Sequence, residues 1–317
     1  MKLKEIFDLG VKMAQKADPR DDAEIKRLLQ ERKKSFDKLD KKEKKFYEKE
    51  KLEHLYDDSR ILTGKPDAKI KRIFAGIDME TPEVLLANEI SKNGKKIDLI
   101  LAHHPEDIAL RNLDSVMKIQ EYVLELGGLP ANVSEKILSE RIEKVGHSLH
   151  SINANRVGNA AKLLGFCFMN THTITDNLVY DFLKKLFHKK KPKTLGELIE
   201  IMGETPEYAE AKKSGQGPMI LSGSKSSRTG KIVPAGMTGG TEGSEDIYER
   251  LSIAGIGTVV DMHMSNNHLK KAKKHFVNVV IAGHMASDSL GMNLFLDKLE
   301  KKGLEIIPHS GLIRVKR

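Results

Sequence analysis

The stretch from residue 71 to residue 105 constrains the fold more than any other part of the chain. It reads as a short apolar run, KRIFAGID, then a helical segment, TPEVLLANEISKNG, then a second apolar run, IDLILAHHP. Pro82 suits the first turn of that helix. A strand, a helix and a strand within ~30 residues form a βαβ unit, whose strands are parallel and buried on both faces. The sequence therefore predicts an α/β fold.

The last quarter of the chain repeats this alternation. Helical spacing in EDIYERLSIAG precedes a strand pattern in IGTVVDMH, and SNNHLKKAKKHF precedes VNVVIAGH in the same way. The middle of the chain is more helical, and residues 214–244 are rich in Gly and Ser around one strand, KIVPAGM. We predict two packed α/β halves with mostly parallel strands, forming a body from residue 69 to residue 317.

The first 68 residues differ in character from this body. Residues 18–56 are densely charged and contain neither Gly nor Pro after Pro19, while their few apolar side chains recur at helical spacing. We predict one long charged helix within an N-terminal extension, residues 1–68. Such a charge run is usually a solvated face, and docking on the body or pairing with a second copy are the alternatives.

Composition narrows the class of function. The net charge of +9 favours anionic partners such as nucleic acid or phosphorylated metabolites, or reflects only a soluble lysine-rich surface. Nucleic acid is the weaker reading, because lysine runs such as HKKKPK contain no aromatic side chain for base stacking. A single cysteine, Cys167, fits a reducing compartment, and no segment has the ~20 apolar residues of a membrane span. We expect a cytoplasmic protein that does not enter a membrane.

Histidines stand where two of the predicted strands end. His103 and His104 close one apolar run, and His284 closes another, with Asp288 four residues later. Adjacent side chains on a strand point to opposite faces, so the pair suits two ions better than one. Ligand sites gather at the carboxyl ends of parallel strands, and imidazole binds Zn, Fe, Mn, Co or Ni. We predict a site for one or two divalent metal ions, the alternative being histidines that only cap loops.

Two further polar stretches are candidates for the site. HSLHSINANR at 147–156, which we expect to be a strand passing into a loop, supplies histidines and asparagines, or is an ordinary polar loop. The glycine-rich MTGGTEGSED at 237–246 precedes a predicted helix. Its backbone N–H groups could hold an anionic group, or it is an ordinary connecting loop.

These motifs together resemble the NIF-three-like dinuclear metal centre family, whose members are often labelled GTP cyclohydrolase I type 2 homologues. The matching pieces are DLILAHHP, the HSLHSINANR region, TGGTEGSEDIYERLSIAGIGTVV, and VDMHMSNNHLKKAKKHFVNVVIAGHMASD. Their order and spacing agree with the family from about residue 70 to the C-terminus. The charged N-terminal segment lies outside the resemblance.

The resemblance implies a set of metal ligands. They are His103, His104, His150, His284 and Asp288, the last standing where the family usually has Glu. The family's His-Thr-x-x-Asp segment, whose Asp bridges two ions, is matched to HSINAN, so Asn153 takes the bridging position, with Asn155 as the alternative. Loss of that carboxylate would leave the repulsion between two cations less compensated, which predicts a weakly held second ion.

Three functions follow from this sequence. The first is a metal-dependent hydrolase acting on a small phosphorylated or nucleotide-like molecule, with His268 as a catalytic proton shuttle, or else a carboxylate at Glu106 or Asp107. The second is a non-catalytic metal-binding scaffold that forms homo-oligomers, which the resemblance implies are hexamers. The third is a basic adaptor that binds nucleic acid or protein through the helix at 19–56. The cyclohydrolase label follows from the family's name alone.

Overall fold

Two sheets, both mostly parallel, form the framework of this computed structural model, which describes residues 1–317. The nine strands are β1 Ile61–Thr63, β2 Arg72–Gly76, β3 Leu99–Ala102, β4 Cys167–Asn170, β5 Met219–Ser222, β6 Lys231–Gly236, β7 Ile256–Asp261, β8 Asn278–Ile281 and β9 Glu305–Pro308. The first sheet has the order β1-β4-β3-β2-β9, and the second has the order β5-β8-β7-β6. Only the edge strands β1 and β5 pair in antiparallel fashion.

Fifteen α-helices surround and separate the sheets. They are α1 Leu3–Ala17, α2 Asp22–Lys38, α3 Lys41–Phe46, α4 Thr81–Lys92, α5 Asp107–Arg111, α6 Leu113–Val116, α7 Ile119–Gly127, α8 Ala131–His150, α9 Arg156–Leu163, α10 His172–Lys190, α11 Leu195–Gly203, α12 Pro206–Lys213, α13 Ile247–Ile253, α14 Asn266–Lys274 and α15 His284–Glu300. A 3-10 turn covers Lys49–Leu52. None of these helices combines the length and apolar character that a membrane span requires.

The α/β prediction is confirmed, and the first βαβ unit lies where the sequence placed it. β2, α4 and β3 follow one another, and β2 and β3 pair in parallel with Ile73 opposite Leu99. Pro82 lies in the first turn of α4. The alternation at the C-terminal end is likewise present, because β7 and β8 pair in parallel across α14.

The predicted charged N-terminal helix is present as α2, but it does not run through the whole of residues 18–56. Helix α2 ends at Lys38, and Asp40 caps a separate helix by accepting hydrogen bonds from the amides of Lys42 and Glu43. The segment is also attached to the rest of the chain, since Lys51 donates a hydrogen bond to Asn112 Oδ1 at 2.6 Å. Within the segment, Arg32 of α2 forms a bidentate ion pair with the buried Asp57, at 2.9 and 2.7 Å.

Helix α1 lies inside the packed core. Its apolar face, formed by Leu3, Ile6 and Phe7, is fully buried against β-strand and α15 side chains such as Phe295. This amphipathic helix stands before the charged run and was not predicted. The first 68 residues therefore contribute both a core helix and, through β1, an edge strand of the first sheet.

Helices α10 and α15 form the layer in which the two halves meet. Each contributes to both hydrophobic cores: Val179 and Leu290 belong to the core of the second sheet, whereas Ile174 and Phe295 belong to that of the first. The two helices approach closely because Gly291 has no side chain. A Cβ there would lie 2.9 Å from the Thr175 carbonyl carbon and 2.9 Å from Val179 Cγ2.

We expect Gly291→Ala to destabilise the protein by about 1–3 kcal/mol, because the added methyl group must separate two packed helices. The matched control is Gly203→Ala in α11, where a Cβ would meet no atom within 4 Å. Chemical denaturation of both variants checks this prediction. Equal stability of the two variants would contradict the close helix contact.

Candidate metal centre

Three strands of the two sheets end beside one another and deliver histidines to one place. β3 is followed directly by His103 and His104, β4 leads into His172 at the start of α10, and β8 leads into His284 at the start of α15. One turn into each of these helices lies an aspartate, Asp176 or Asp288. We call these six residues the His/Asp cluster. Their ligand atoms fall into three overlapping groups, each within 4.8 Å.

Asp288 lies at the centre of the cluster and is fully buried. Its Oδ1 is 3.5 Å from His103 Nε2, and its Oδ2 is 3.5 Å from the Nε2 atoms of both His104 and His284. Neither oxygen takes part in a hydrogen bond. A carboxylate whose two oxygens face different imidazoles offers both oxygens as possible metal ligands.

Asp176 occupies the other side of the cluster. Its Oδ1 lies 3.4 Å from His103 Nε2 and its Oδ2 lies 3.6 Å from His172 Nε2. Oδ1 has no hydrogen-bond partner. Burial raises the pKa of Asp176 to about 7, an effect that His172 opposes and Asp288 reinforces. The cluster therefore holds more buried carboxylate than its hydrogen-bond donors satisfy.

Three of the imidazoles are oriented by a partner behind them. Nδ1 of His172 lies 2.7 Å from Asp58 Oδ2, and Nδ1 of His104 lies 2.6 Å from Asp78 Oδ1. Nδ1 of His103 lies 2.9 Å from Thr175 Oγ1. The Thr175 hydroxyl donates its own proton to a backbone carbonyl and so accepts from His103. With Nδ1 engaged in this way, each ring turns Nε2 into the cluster, as the partners behind ligating histidines do at metal sites.

The electrostatics of the cluster favour added positive charge. Burial lowers the pKa of His103 to about 4, so this imidazole is neutral and able to act as a ligand. Burial opposes protonation of His104 as well, but the carboxylates of Asp288 and Asp78 outweigh it and raise its pKa to about 10. Burial also opposes ionisation of Asp288, yet the surrounding imidazoles, His103 first, hold its pKa well below its usual range.

The residues of the His/Asp cluster fit a metal ion. The 3.4–3.6 Å separations between Nε2 and carboxylate oxygens exceed the ~2.7–2.9 Å of a charged hydrogen bond. The three carboxylate oxygens without partners need a cation or donor. A set of imidazoles and carboxylates without a thiolate suits Zn, Fe, Mn, Co or Ni, and does not choose among them.

The structure brings together four of the residues singled out in the sequence: His103, His104, His284 and Asp288. It does not bring His150 or Asn153 to them. Both are exposed, at the end of α8 and in the turn after it, because residues 131–150 form a helix rather than the expected strand and loop. Asn155 instead donates a hydrogen bond to Asp107, at 2.7 Å. The structure therefore does not support the prediction that His150 and Asn153 are metal ligands.

The residues that replace them are His172 and Asp176, which the sequence reading missed. The signal was present: HTITD at 172–176 is a His-Thr-x-x-Asp segment, and its ends lie one helical turn apart on the same face of α10. The carboxylate thought to be lost is therefore present in the cluster. The prediction of a weakly held second ion assumed that this carboxylate was missing, so it is no longer supported.

His268 lies outside the cluster, on the wall of a cleft that residues of the cluster also line. The cleft and its open mouth together span about 750 Å³, and the lining includes both Asp288 and His268. His268 Nδ1 lies 3.0 Å from the Tyr248 hydroxyl, and Nε2 lies 3.7 Å from Glu242 Oε2. The glycine-rich loop at 237–246 forms another part of this wall.

A known structure shares this whole arrangement of elements. A NIF3 superfamily protein from Sphaerobacter thermophilus superposes with a TM-score of 0.71 and 21% identity, over 97% of this chain and 98% of that one. The chain has a NIF3-like fold. The resemblance seen in the sequence is thus confirmed for the fold. The NIF3-like fold also includes most of the charged N-terminal segment, which the sequence motifs had left outside.

Other solved structures are more distant. Reduced HcgD from Methanocaldococcus jannaschii matches with a TM-score of 0.47 and 16% identity, over 80% of this chain and 88% of that one. A Thermus thermophilus protein matches with a TM-score of 0.46 and 14% identity over the same shares. No protein-family model and no curated protein matches the chain.

We expect Asp58→Asn to weaken zinc binding about 10-fold, because the amide removes the negative charge that supports His172 as a ligand. The control is Glu53→Gln, which alters an exposed carboxylate paired with Lys4. Competition titration with a zinc chelator measures both affinities, and circular dichroism checks the fold. Unchanged zinc affinity in Asp58→Asn would refute the role of Asp58.

Proposed function

We propose that the chain is a metal-dependent hydrolase that acts on a small molecule held in the cleft, with the His/Asp cluster as its metal centre. The observation that carries the proposal is the position of Asp288, a fully buried carboxylate that faces three imidazole Nε2 atoms and makes no hydrogen bond. The cluster opens onto the cleft, because His172, Asp176, His284 and Asp288 all line it. A substrate in the cleft would therefore contact the centre directly.

Two of the three groups of ligand atoms share Asp288. One contains His103 and Asp176, and the other contains His104 and His284. A divalent ion bound in either group would act as a Lewis acid. It would polarise the substrate and lower the pKa of bound water toward neutral. The residues themselves position the reaction, since the ligands come from a strand end and two helix starts within a packed core and cannot shift independently.

His268 is the residue we assign to proton transfer. Burial lowers the pKa of His268, so its imidazole is neutral at neutral pH and can accept a proton. The Tyr248 hydroxyl beside Nδ1 can donate or accept a hydrogen bond, which allows Nε2 either to take up or to release a proton. Glu242 stands next to Nε2 as a further acceptor.

The other two functions receive different support from the structure. A non-catalytic metal-binding scaffold would use the same cluster, and only activity separates it from a hydrolase. A homo-oligomer, hexameric by the resemblance, and a cytoplasmic location stay predictions. The basic adaptor is weakened, because the charged helix ends at Lys38 and the first 68 residues also supply Asp58, which orients His172. Deleting residues 1–60 would damage the centre rather than spare it.

Asp288→Asn tests the proposal. We expect wild-type protein purified without chelators to carry one or two divalent ions per chain. The variant should lose at least one ion, because the neutral amide is a poor replacement for a shared carboxylate. Elemental analysis measures this content. Asp181→Asn, which changes a carboxylate paired with Lys185 on the same helix as His172, is the control.

A screen of phosphoester and nucleotide substrates completes the test. We expect hydrolysis by the metal-loaded wild type, and a loss in Asp288→Asn larger than the ~10–100-fold typical of changes to residues that only orient a metal ligand. Full metal content in Asp288→Asn would contradict the metal centre. Metal content without any hydrolysis would support the scaffold instead.

A further inference from the structure

We call the part of the cleft formed by the end of β7 and the glycine-rich loop its β7 end, and its side chains include hydrogen-bond acceptors. Asp261 at the end of β7 and Glu242 in the glycine-rich loop both line it, together with Tyr248 and His268. None of the residues that line the cleft is a lysine or an arginine. The excess of basic residues in the whole chain is therefore absent from this cavity.

The two carboxylates are held in the same manner. Asp261 Oδ1 accepts a hydrogen bond from the Met262 amide at 2.9 Å, and Glu242 Oε1 accepts one from the Ser265 amide at 2.7 Å. The second oxygen of Asp261 makes no hydrogen bond, and that of Glu242 faces only His268. Asp261 also packs directly against the backbone of Gly236, where any Cβ would collide with its carboxylate. Each carboxylate is thus fixed through one oxygen and presents the other.

A buried hydroxyl group in the cleft is a further and independent indication of a ligand. Thr238 is 6% exposed and lines the cleft, yet its hydroxyl has no hydrogen-bond partner. Buried hydroxyl groups are nearly always paired in folded proteins, and leaving one unpaired is costly. A polar group bound in the cleft would satisfy it.

We propose that this end of the cleft is a subsite for an N–H-rich group of the substrate, such as the amidine-like edge of an aminated heterocycle, received by Asp261 and Glu242. The subsite deepens the proposed function and rests on it for the reaction, although not for binding. Burial raises the pKa of Asp261 to about 7, and Glu242 reinforces the shift, so the site lacks the positive or N–H partner that such a ligand supplies. A phosphate group here would instead face two carboxylates without a cationic side chain, and we place any phosphate of the substrate toward the His/Asp cluster.

The probe for this subsite is 2-aminobenzimidazole, which presents an amidine-like edge on a small flat ring. Benzimidazole, which lacks the amino group, and benzoate, which carries the opposite charge, are the comparison ligands. Isothermal titration of the zinc-loaded full chain should show at least ~10-fold tighter binding of 2-aminobenzimidazole than of either comparison ligand. Asp261→Asn and Glu242→Gln should each weaken its binding at least ~10-fold. Glu249→Gln, an exposed carboxylate on α13, should leave it unchanged.

Two further measurements separate this proposal from the metal centre. Asp288→Asn should lose metal and still bind the probe, whereas Asp261→Asn should keep its metal and lose the probe. If either acidic variant does not fold, Thr238→Val must weaken probe binding in its place. Equal affinity for the probe and the comparison ligands, or undiminished binding by the folded acidic variants, would overturn the proposal. A metal content that falls in Asp261→Asn would also overturn it, in favour of a further cation site.

Discussion

The structure depends on keeping the carboxylate of Asp288 charged in a fully buried position. Removing a carboxylate from water costs several kcal/mol unless other charges compensate. The protonated imidazole of His104 supplies part of this compensation, and His103 and His284 also direct Nε2 toward the Asp288 oxygens at 3.5 Å. These distances are long for hydrogen bonds, and they leave room for cations between the groups. The cluster is thus a place in the core that is complete only with added positive charge.

The fold supplies this arrangement by joining two halves along one helix pair. Helices α10 and α15 start where β4 and β8 end, and each carries a histidine at its first residue and an aspartate four residues later. Gly291 allows the two helices to pack closely. Asp288 then faces both His103 and His104, and Asp176 faces His103. The N-terminal segment stabilises the same centre from behind, through Asp58 on His172 and the Arg32–Asp57 ion pair.

The strand ends could be predicted from the sequence because their signals are local. Apolar runs that stop at a histidine indicate both a buried strand and a site at its carboxyl end, and this pattern found His103, His104 and His284. The pattern missed His172, because Asn170 and Thr171 separate the apolar run of β4 from this histidine. The family resemblance, rather than this pattern, favoured HSINAN, which lies at the end of α8 and in the turn after it.

Long-range contacts account for the rest of what the sequence did not reveal. Nothing local indicates that Asp58 pairs with His172 or that Asp78 pairs with His104, since these partners are far apart in the chain. The break in the charged N-terminal run depends on Asp40, whose capping bonds compete with continuation of the helix. The cleft beyond the cluster joins residues of the second sheet to the glycine-rich loop, and its acidic lining could be recognised only in three dimensions.

The most direct test of the metal centre is anomalous diffraction from crystals grown with zinc, collected above and below the zinc absorption edge. The account predicts anomalous peaks about 2.0–2.2 Å from Asp288 oxygens and from the Nε2 atoms of His103, His104 or both. Peaks confined to surface residues, or a His/Asp cluster whose side chains bind only one another in the presence of zinc, would contradict it.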